Sequence, residues 1–304
     1  MLKDKKNFDV YIGIDWSGAK SPIKNSSVAL SWCFTGCGKP EFLSCKLSRQ
    51  DVADWLISFS EQGKSMLIGV DCNFGYAEII ATKQFNKNFK VNDLWSEVEK
   101  YNHENENLYA GGFWESEKYS QYFWTEGTKP DWFDENKLRR QTEKSCKEYS
   151  FGVPECPFKL IGPKQVGKGG LSGMRLINYL NNALGKKISV WPFQDSSMTP
   201  SIILAEIYPR LFLNYCGFKN KKIRDLDDLN FILRFLKSEE VKISQNLNDH
   251  MCDAIISAAG LRFFIEQLSS SVADALHLDK KYTSISKSEG WIFGVNKKFI
   301  KGEI

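Results

Sequence analysis

VYIGIDWSGAK, residues 10–20, runs an apolar stretch into a carboxylate, Asp15, and follows it with Ser17 and Gly18. A short apolar run bounded by turn residues reads as a buried strand. An acid at the tip of such a strand has two readings. Asp and Gly commonly close strands, so Asp15 can be a turn residue. It can also be one of several acids gathered at one edge of a sheet, in which case the rest of the chain must supply the others.

SMLIGVDCNFG, residues 65–75, repeats the pattern: an apolar strand, Asp71, then Asn73 and Gly75. Between the two, SSVALSWCF (residues 26–34) and EFLSCKL (residues 41–47) have β-rich composition and short links, which predicts an antiparallel meander. RQDVADWLISFSEQG (residues 49–63) sets Val52, Trp55, Leu56 and Phe59 at helical spacing and ends at a glycine. SIILAEIYPRLF (residues 201–212) adds another core strand, with Glu206 near its end and Pro209 stopping it.

The strongest helical pattern is LNDHMCDAIISAAGLRFFIEQL (residues 247–268). Asn248 or Asp249 can cap it, and Ala254, Ile255, Ala258, Leu261 and Phe264 form its buried side. Its small residues allow it to lie close on a sheet. Asp249, His250 and Asp253 fall on adjacent turns of one face. An acid beside a buried stripe is costly unless it is paired or bound to a cation.

Asp15, Asp71, Glu206 and Asp253 converge if the strands are parallel neighbours and the last helix packs across them. Crowded carboxylates repel, and divalent cations relieve the repulsion. Mg²⁺ and Mn²⁺ prefer such hard oxygen ligands. Two of these ions about 3.5–4 Å apart can activate water and stabilise the leaving oxygen of a phosphodiester. Each acid alone reads as a cap, turn or surface charge. Four at corresponding ends of core elements weaken that reading.

Composition sets the frame. The chain has 304 residues, 42% of them hydrophobic, enough for a sizeable core in a single domain spanning residues 1–304. A formal net charge of +4 permits an anionic partner without demanding one. No apolar run is long enough to span a bilayer, and the N-terminal residues lack the apolar stretch of a secretory signal, so no membrane role is expected. The eight cysteines are scattered without a paired C-x-x-C, which reads as buried or free thiols in a reducing cytoplasm.

Residues 87–191 are rich in aromatics, glycine and charge without a clean period. They read as a large irregular insertion between the fourth and fifth core strands, with its own small core filled by Trp114, Trp124 and Trp132. Aromatics beside lysines can also stack nucleic-acid bases. Within it, GPKQVGKGG (residues 162–170) nearly spells the phosphate loop G-x-x-x-x-G-K-[ST], but Gly169 stands where the Mg²⁺-binding hydroxyl belongs. Lys164 and Lys168 are then either backbone-phosphate contacts of a polymeric substrate or residues of a surface loop.

The order of elements and acids resembles the ribonuclease H-like fold of nucleases and Holliday-junction resolvases. GIDWSGA, GVDCNFG, LIGPKQVGKGGLSGMRLINYL followed by VWPF, AEIYPRLF, DHMCDAIISAAGL and EGWIF are together similar to an uncharacterised family, domain of unknown function 429, described as predicted nucleases of that fold. The resemblance implies a mixed five-stranded α/β sheet, the second strand antiparallel, flanked by helices. It carries the acids onto Asp15, Asp71, Glu206 and Asp253. His250 stands where the family often has an acid, and Lys168 where it often has a small polar residue.

The expected function is a Mg²⁺- or Mn²⁺-dependent nuclease acting on DNA or RNA. Asp15 would bridge two metals, Asp71 and Asp253 would each hold one, and Glu206 would complete the set or orient water. Ser17, Asn73, Asp249 and His250 would support them. Two other readings stay open: an ATP-binding, sugar-kinase-like enzyme and a non-catalytic nucleic-acid-binding protein of the same fold.

Overall fold

All six residues of β1, Val10–Asp15, are buried. A computed structural model describes residues 7–300 of the chain except 26, 37, 85–89, 163–164, 195–200, 220, 224 and 244–246. In it β1 lies between β2 (Ala29–Phe34) and β4 (Met66–Val70). With β3 (Glu41–Phe42), β5 (Ile188–Trp191) and β6 (Ile202–Glu206) they form one mixed sheet of order β3-β2-β1-β4-β6-β5. β2 runs antiparallel to both its neighbours, and the remaining pairs are parallel. Helices cover both faces, which is why β1, β4 and β6 read as unbroken apolar runs rather than alternating ones.

The helices that frame the site are α1 (Arg49–Ser60), α2 (Val91–Lys100), α3 (Gln141–Glu148), α4 (Val166–Leu184), α5 (Pro209–Tyr215), α6 (Leu226–Phe235), α7 (Asp249–Glu266) and α8 (Thr283–Glu289). On one face Ile12, Ile14, Ile68, Val70 and Leu204 pack with Val52 of α1, Leu94 of α2 and Leu171 and Met174 of α4. On the other, Tyr11, Leu67, Ile203 and Ala205 pack with Leu211 of α5, Ile232 of α6 and Ile255, Ala258 and Leu261 of α7.

α7 starts where the sequence places it, with the Asn248 side chain accepting from Met251 N at 2.8 Å. It crosses β1 at very short range. A Cβ on Gly13 would lie 2.5 Å from Ala254 O and 2.5 Å from Ala258 N. The glycine in the strand and the small residues in the helix together bring Asp253, one residue before Ala254, to the carboxyl end of β1.

Three expectations change. The sheet has six strands, not five, because residues 188–191 pair with β6 and add an edge strand from inside the segment read as an insertion. The third strand is reduced to Glu41–Phe42. The insertion does not build a core of its own: Trp95, Phe113, Trp114, Phe123 and Phe158 join the same buried cluster as Val10, Ile12 and Val70. Trp114 is buried, Trp124 is half-buried and Trp132 is 46% exposed. The seven cysteines among the described residues form no disulfide, and all but Cys45 are buried. No described helix is long and apolar enough to cross a membrane.

Candidate active site

Register decides which acids meet. β1 and β4 are paired Ile14 to Val70, and Asp71 N donates to Ile14 O at 2.9 Å, so Asp15 and Asp71 leave their strands side by side. β4 and β6 are paired Val70 to Glu206. Glu206 is therefore level with Val70, one residue short of Asp71. Side chains alternate along a strand, so this offset sends Glu206 to the opposite face from Asp71. α7 packs on the Asp15 and Asp71 side and contributes Asp253 and His250.

The result is a cavity of about 630 Å³ at the carboxyl ends of the parallel strands, lined by Asp15, Asp71, Asp253 and His250 and reached also by Glu206 and Asp249. His250 Nδ1 lies 2.5 Å from Asp15 Oδ2. The Asp15 contact raises the pKa of His250, with burial acting against it. Burial raises the Asp15 carboxyl, and the His250 hydrogen bond pulls it back part of the way. Asp71 is pushed well above the ordinary 3.8 by burial and then by the charges of Asp15, Asp253 and Glu206. Asp253 is raised to about 7, by burial first and then by Asp15, while Arg210 draws it down. Among the described residues, neither the Asp71 nor the Asp253 carboxylate has a hydrogen-bonding or ion-pair partner.

Glu206 behaves differently. Its carboxylate takes a two-pronged contact from the fully buried Arg140, with Nη1 to Oε2 at 2.8 Å and Nη2 to Oε1 at 2.5 Å, and also accepts from Phe74 N at 3.2 Å. Arg140 also donates from Nε to Glu143 Oε1 at 2.9 Å and from Nη1 to Glu289 O at 3.2 Å. Burial works against the charged guanidinium, but Glu206 and Glu143 outweigh it and raise its pKa. A bidentate guanidinium satisfies the directions in which a carboxylate would meet a metal ion. Glu206 thus closes the cavity floor as half of a buried ion pair.

The other expected residues take several positions. Ser17 Oγ accepts from Ala19 N at 3.2 Å and shapes the loop after β1. Asn73 donates to Gly75 O at 3.1 Å, and its Oδ1 is buried without a partner among the described residues. Asp249 is exposed at the rim, 3.3 Å from Lys222 Nζ. Lys168 lines the cavity, 5.7 Å from the Trp114 ring centre, with its pKa lowered by burial. Lys164 lies outside the described residues. The glycines around Lys168 serve close packing: a Cβ on Gly167 would fall 2.0 Å from Pro157 O, and one on Gly170 2.0 Å from Asn73 Oδ1.

Three arginines escaped the sequence reading. Arg140 sits in a segment without period, and its only local sign is Glu143 three residues on, whose carboxylate accepts from Arg140 N at 2.9 Å at the start of α3. Arg210, on α5, lines the cavity near Asp253. Arg49 is fully buried and donates from Nη1 to Ser17 O at 2.7 Å and Ala19 O at 2.8 Å, which fixes the loop that follows Asp15.

Asp15, Asp71 and Asp253 carry the hard oxygen donors that Mg²⁺ or Mn²⁺ takes, and two of the three lack any other partner among the described residues. Among the described residues, no three His, Cys, Asp or Glu side chains stand as a ready-made ion cage. Comparison with known proteins finds no matching family model, no matching curated protein and no matching solved structure.

Proposed function

We propose that this chain is a metal-dependent nuclease of the ribonuclease H-like class, allied to the domain of unknown function 429 family, that hydrolyses phosphodiester bonds of nucleic acid. The antiparallel second strand within an otherwise largely parallel sheet supports the fold class. One observation carries the chemistry: three acids from two strand ends and one helix line one cavity, Asp15 buried and Asp71 and Asp253 half-buried, burial raises all three and neighbouring acids add to it, and Asp71 and Asp253 have no partner among the described residues. Such a cluster costs the fold free energy unless a cation occupies it.

Asp15, Asp71 and Asp253 would hold Mg²⁺ or Mn²⁺, which would supply an activated water and charge stabilisation for the departing oxygen. The protein's own groups do the rest. Arg140 keeps Glu206 out of the donor set and fixes the cavity floor. His250 orients Asp15 through Nδ1, and its Nε2 is left to move a proton. Lys168 and Arg210 offer positive charge to a phosphate. The hydrolysis is balanced by water alone: the water oxygen bonds to phosphorus, the P–O ester bond breaks, and the leaving oxygen departs as a hydroxyl.

The test is Mn²⁺-dependent cleavage of single- and double-stranded DNA and RNA by wild type and Asp15→Asn, with a melting curve for each. The expected result is cleavage by wild type, a loss of at least about 100-fold in the variant, and a melting temperature that is equal or higher. Equal cleavage by both proteins removes Asp15 from catalysis. Absence of cleavage by wild type on every substrate turns the assignment to the kinase-like or non-catalytic reading.

A further inference from the structure

One wall of the cavity comes from the segment between α3 and α4. Val153, Pro154, Glu155 and Pro157 line the cavity that Asp15 and Asp71 also line, as do Gln165 and Val166. This wall is built into the fold. The Arg139 guanidinium donates to Pro154 O. Trp124 N donates to Phe158 O and Leu160 N to Trp124 O, both at 2.9 Å. Cys156, Phe158 and Leu160 are fully buried, and the Phe158 ring lies 4.6 Å from that of Tyr76. The close approach of Gly167 to Pro157 O locks the wall onto the first turn of α4.

Wall and acids together leave a concave site of about 630 Å³. That is the size of a small-molecule pocket, for which roughly 300–1,000 Å³ is usual. An internal phosphate of a duplex stays on a rigid body whose major groove alone is about 12 Å wide, which does not fit inside a concavity of that volume. A single nucleotide at a strand end has no such bulk. The pocket's charge also suits one terminal phosphoester. Lys168 and Arg210 line it together with the acids, and neither forms an ion pair among the described residues. Pro154, Pro157 and Tyr208 add flat apolar surface against which a base can stack.

We propose that the cavity takes one terminal nucleotide of a single strand and excludes the interior of a duplex or of a closed circle. The proposal rests on the phosphodiester-hydrolysis reading and narrows it to cleavage from an end. The phosphoester is held by the acids' site and Lys168; the water oxygen bonds to phosphorus, the P–O ester bond to the rest of the strand breaks, the strand's oxygen leaves as a hydroxyl, and the released unit is a nucleoside monophosphate.

Two measurements test it. First, thymidine 5′-monophosphate is titrated into the protein with Mg²⁺, read by tryptophan fluorescence, since Trp16 lines the cavity and Trp114 lies under Lys168. Saturable binding is expected, weakened by at least about tenfold, roughly 1.4 kcal/mol, in Lys168→Ala. Second, a linear single-stranded oligonucleotide is compared with the same sequence ligated into a circle and with a covalently closed duplex. The linear strand should be shortened stepwise and both circles left intact. Circles cut as fast as the linear strand overturn this inference and leave the nuclease reading standing. Nucleotide binding without cleavage of any strand overturns the nuclease reading while keeping the pocket. Absence of nucleotide binding together with internal cuts in the linear strand overturns the inference outright.

Discussion

Arg140→Met tests whether the ion pair under the cavity is built as described. Arg140 is fully buried and joins two buried carboxylates, Glu206 and Glu143. Methionine keeps most of the volume and removes the charge, which leaves both carboxylates uncompensated. Breaking one side of a buried ion pair costs roughly 3–5 kcal/mol. With an unfolding entropy of about 2.1 cal/mol/K per residue, a chain of 304 residues has a total of about 0.6 kcal/mol/K. The melting temperature should therefore fall by roughly 5–8 °C. The deficit also has a pH signature. Unpaired buried carboxylates have raised folded pKa values, so their penalty is absent when they are protonated and opens as pH rises through those values. The gap to wild type should be smaller at about pH 5 than at about pH 8. Adding Glu206→Gln should restore part of the loss. Differential scanning calorimetry of the wild type, the single variants and the double variant decides the matter. A single-variant shift below about 2 °C, or a double variant no better than Arg140→Met, would refute the buried network.

Further outcomes concern Asp253 and Lys168. Asp253 is raised from 3.8 to about 7, so in metal-free buffer its contribution to stability is lost as pH rises through that window. Asp253→Asn should thus be more stable than wild type near pH 8, by up to about 4 kcal/mol at 1.36 kcal/mol per pH unit, and no more stable below about pH 4; chemical denaturation across pH measures both. The added stability should disappear in Mg²⁺, because the cation relieves the same repulsion in wild type. Lys168→Ala should raise KM for a strand substrate by about tenfold and flatten its salt dependence, with metal affinity unchanged in calorimetry.

How much of this was legible in the sequence depends on whether the information is local. β1, β4 and β6 are apolar runs with turn residues after them, and α7 carries its own cap and small-residue stripe, so their existence and their acids can be read directly. The convergence of Asp15, Asp71 and Asp253 follows from those elements once Gly13 admits α7. Glu206 is different. Which face it occupies depends on a one-residue offset between β4 and β6, and interstrand register is a property of the pair rather than of either strand. Its partner Arg140 lies 66 residues away in a stretch with no period. β5 spans only Ile188–Trp191, too short to stand out in an aromatic-rich segment. The glycines around Lys168 imitate a phosphate loop because close helix packing and phosphate cradling ask for the same residue.

The proposed chemistry requires a cation held by Asp15, Asp71 and Asp253. Isothermal titration of Mn²⁺ into chelator-stripped protein near neutral pH tests this most directly, with Asp71→Asn beside the wild type. Asp71 is chosen because its carboxylate has no other partner among the described residues, so the substitution removes a donor and breaks no contact described here. Saturable binding to wild type with Kd below about 1 mM, and its loss in Asp71→Asn, is the predicted result. A wild type that takes up no Mn²⁺ at millimolar concentration, or an Asp71→Asn variant that binds as tightly, would contradict it.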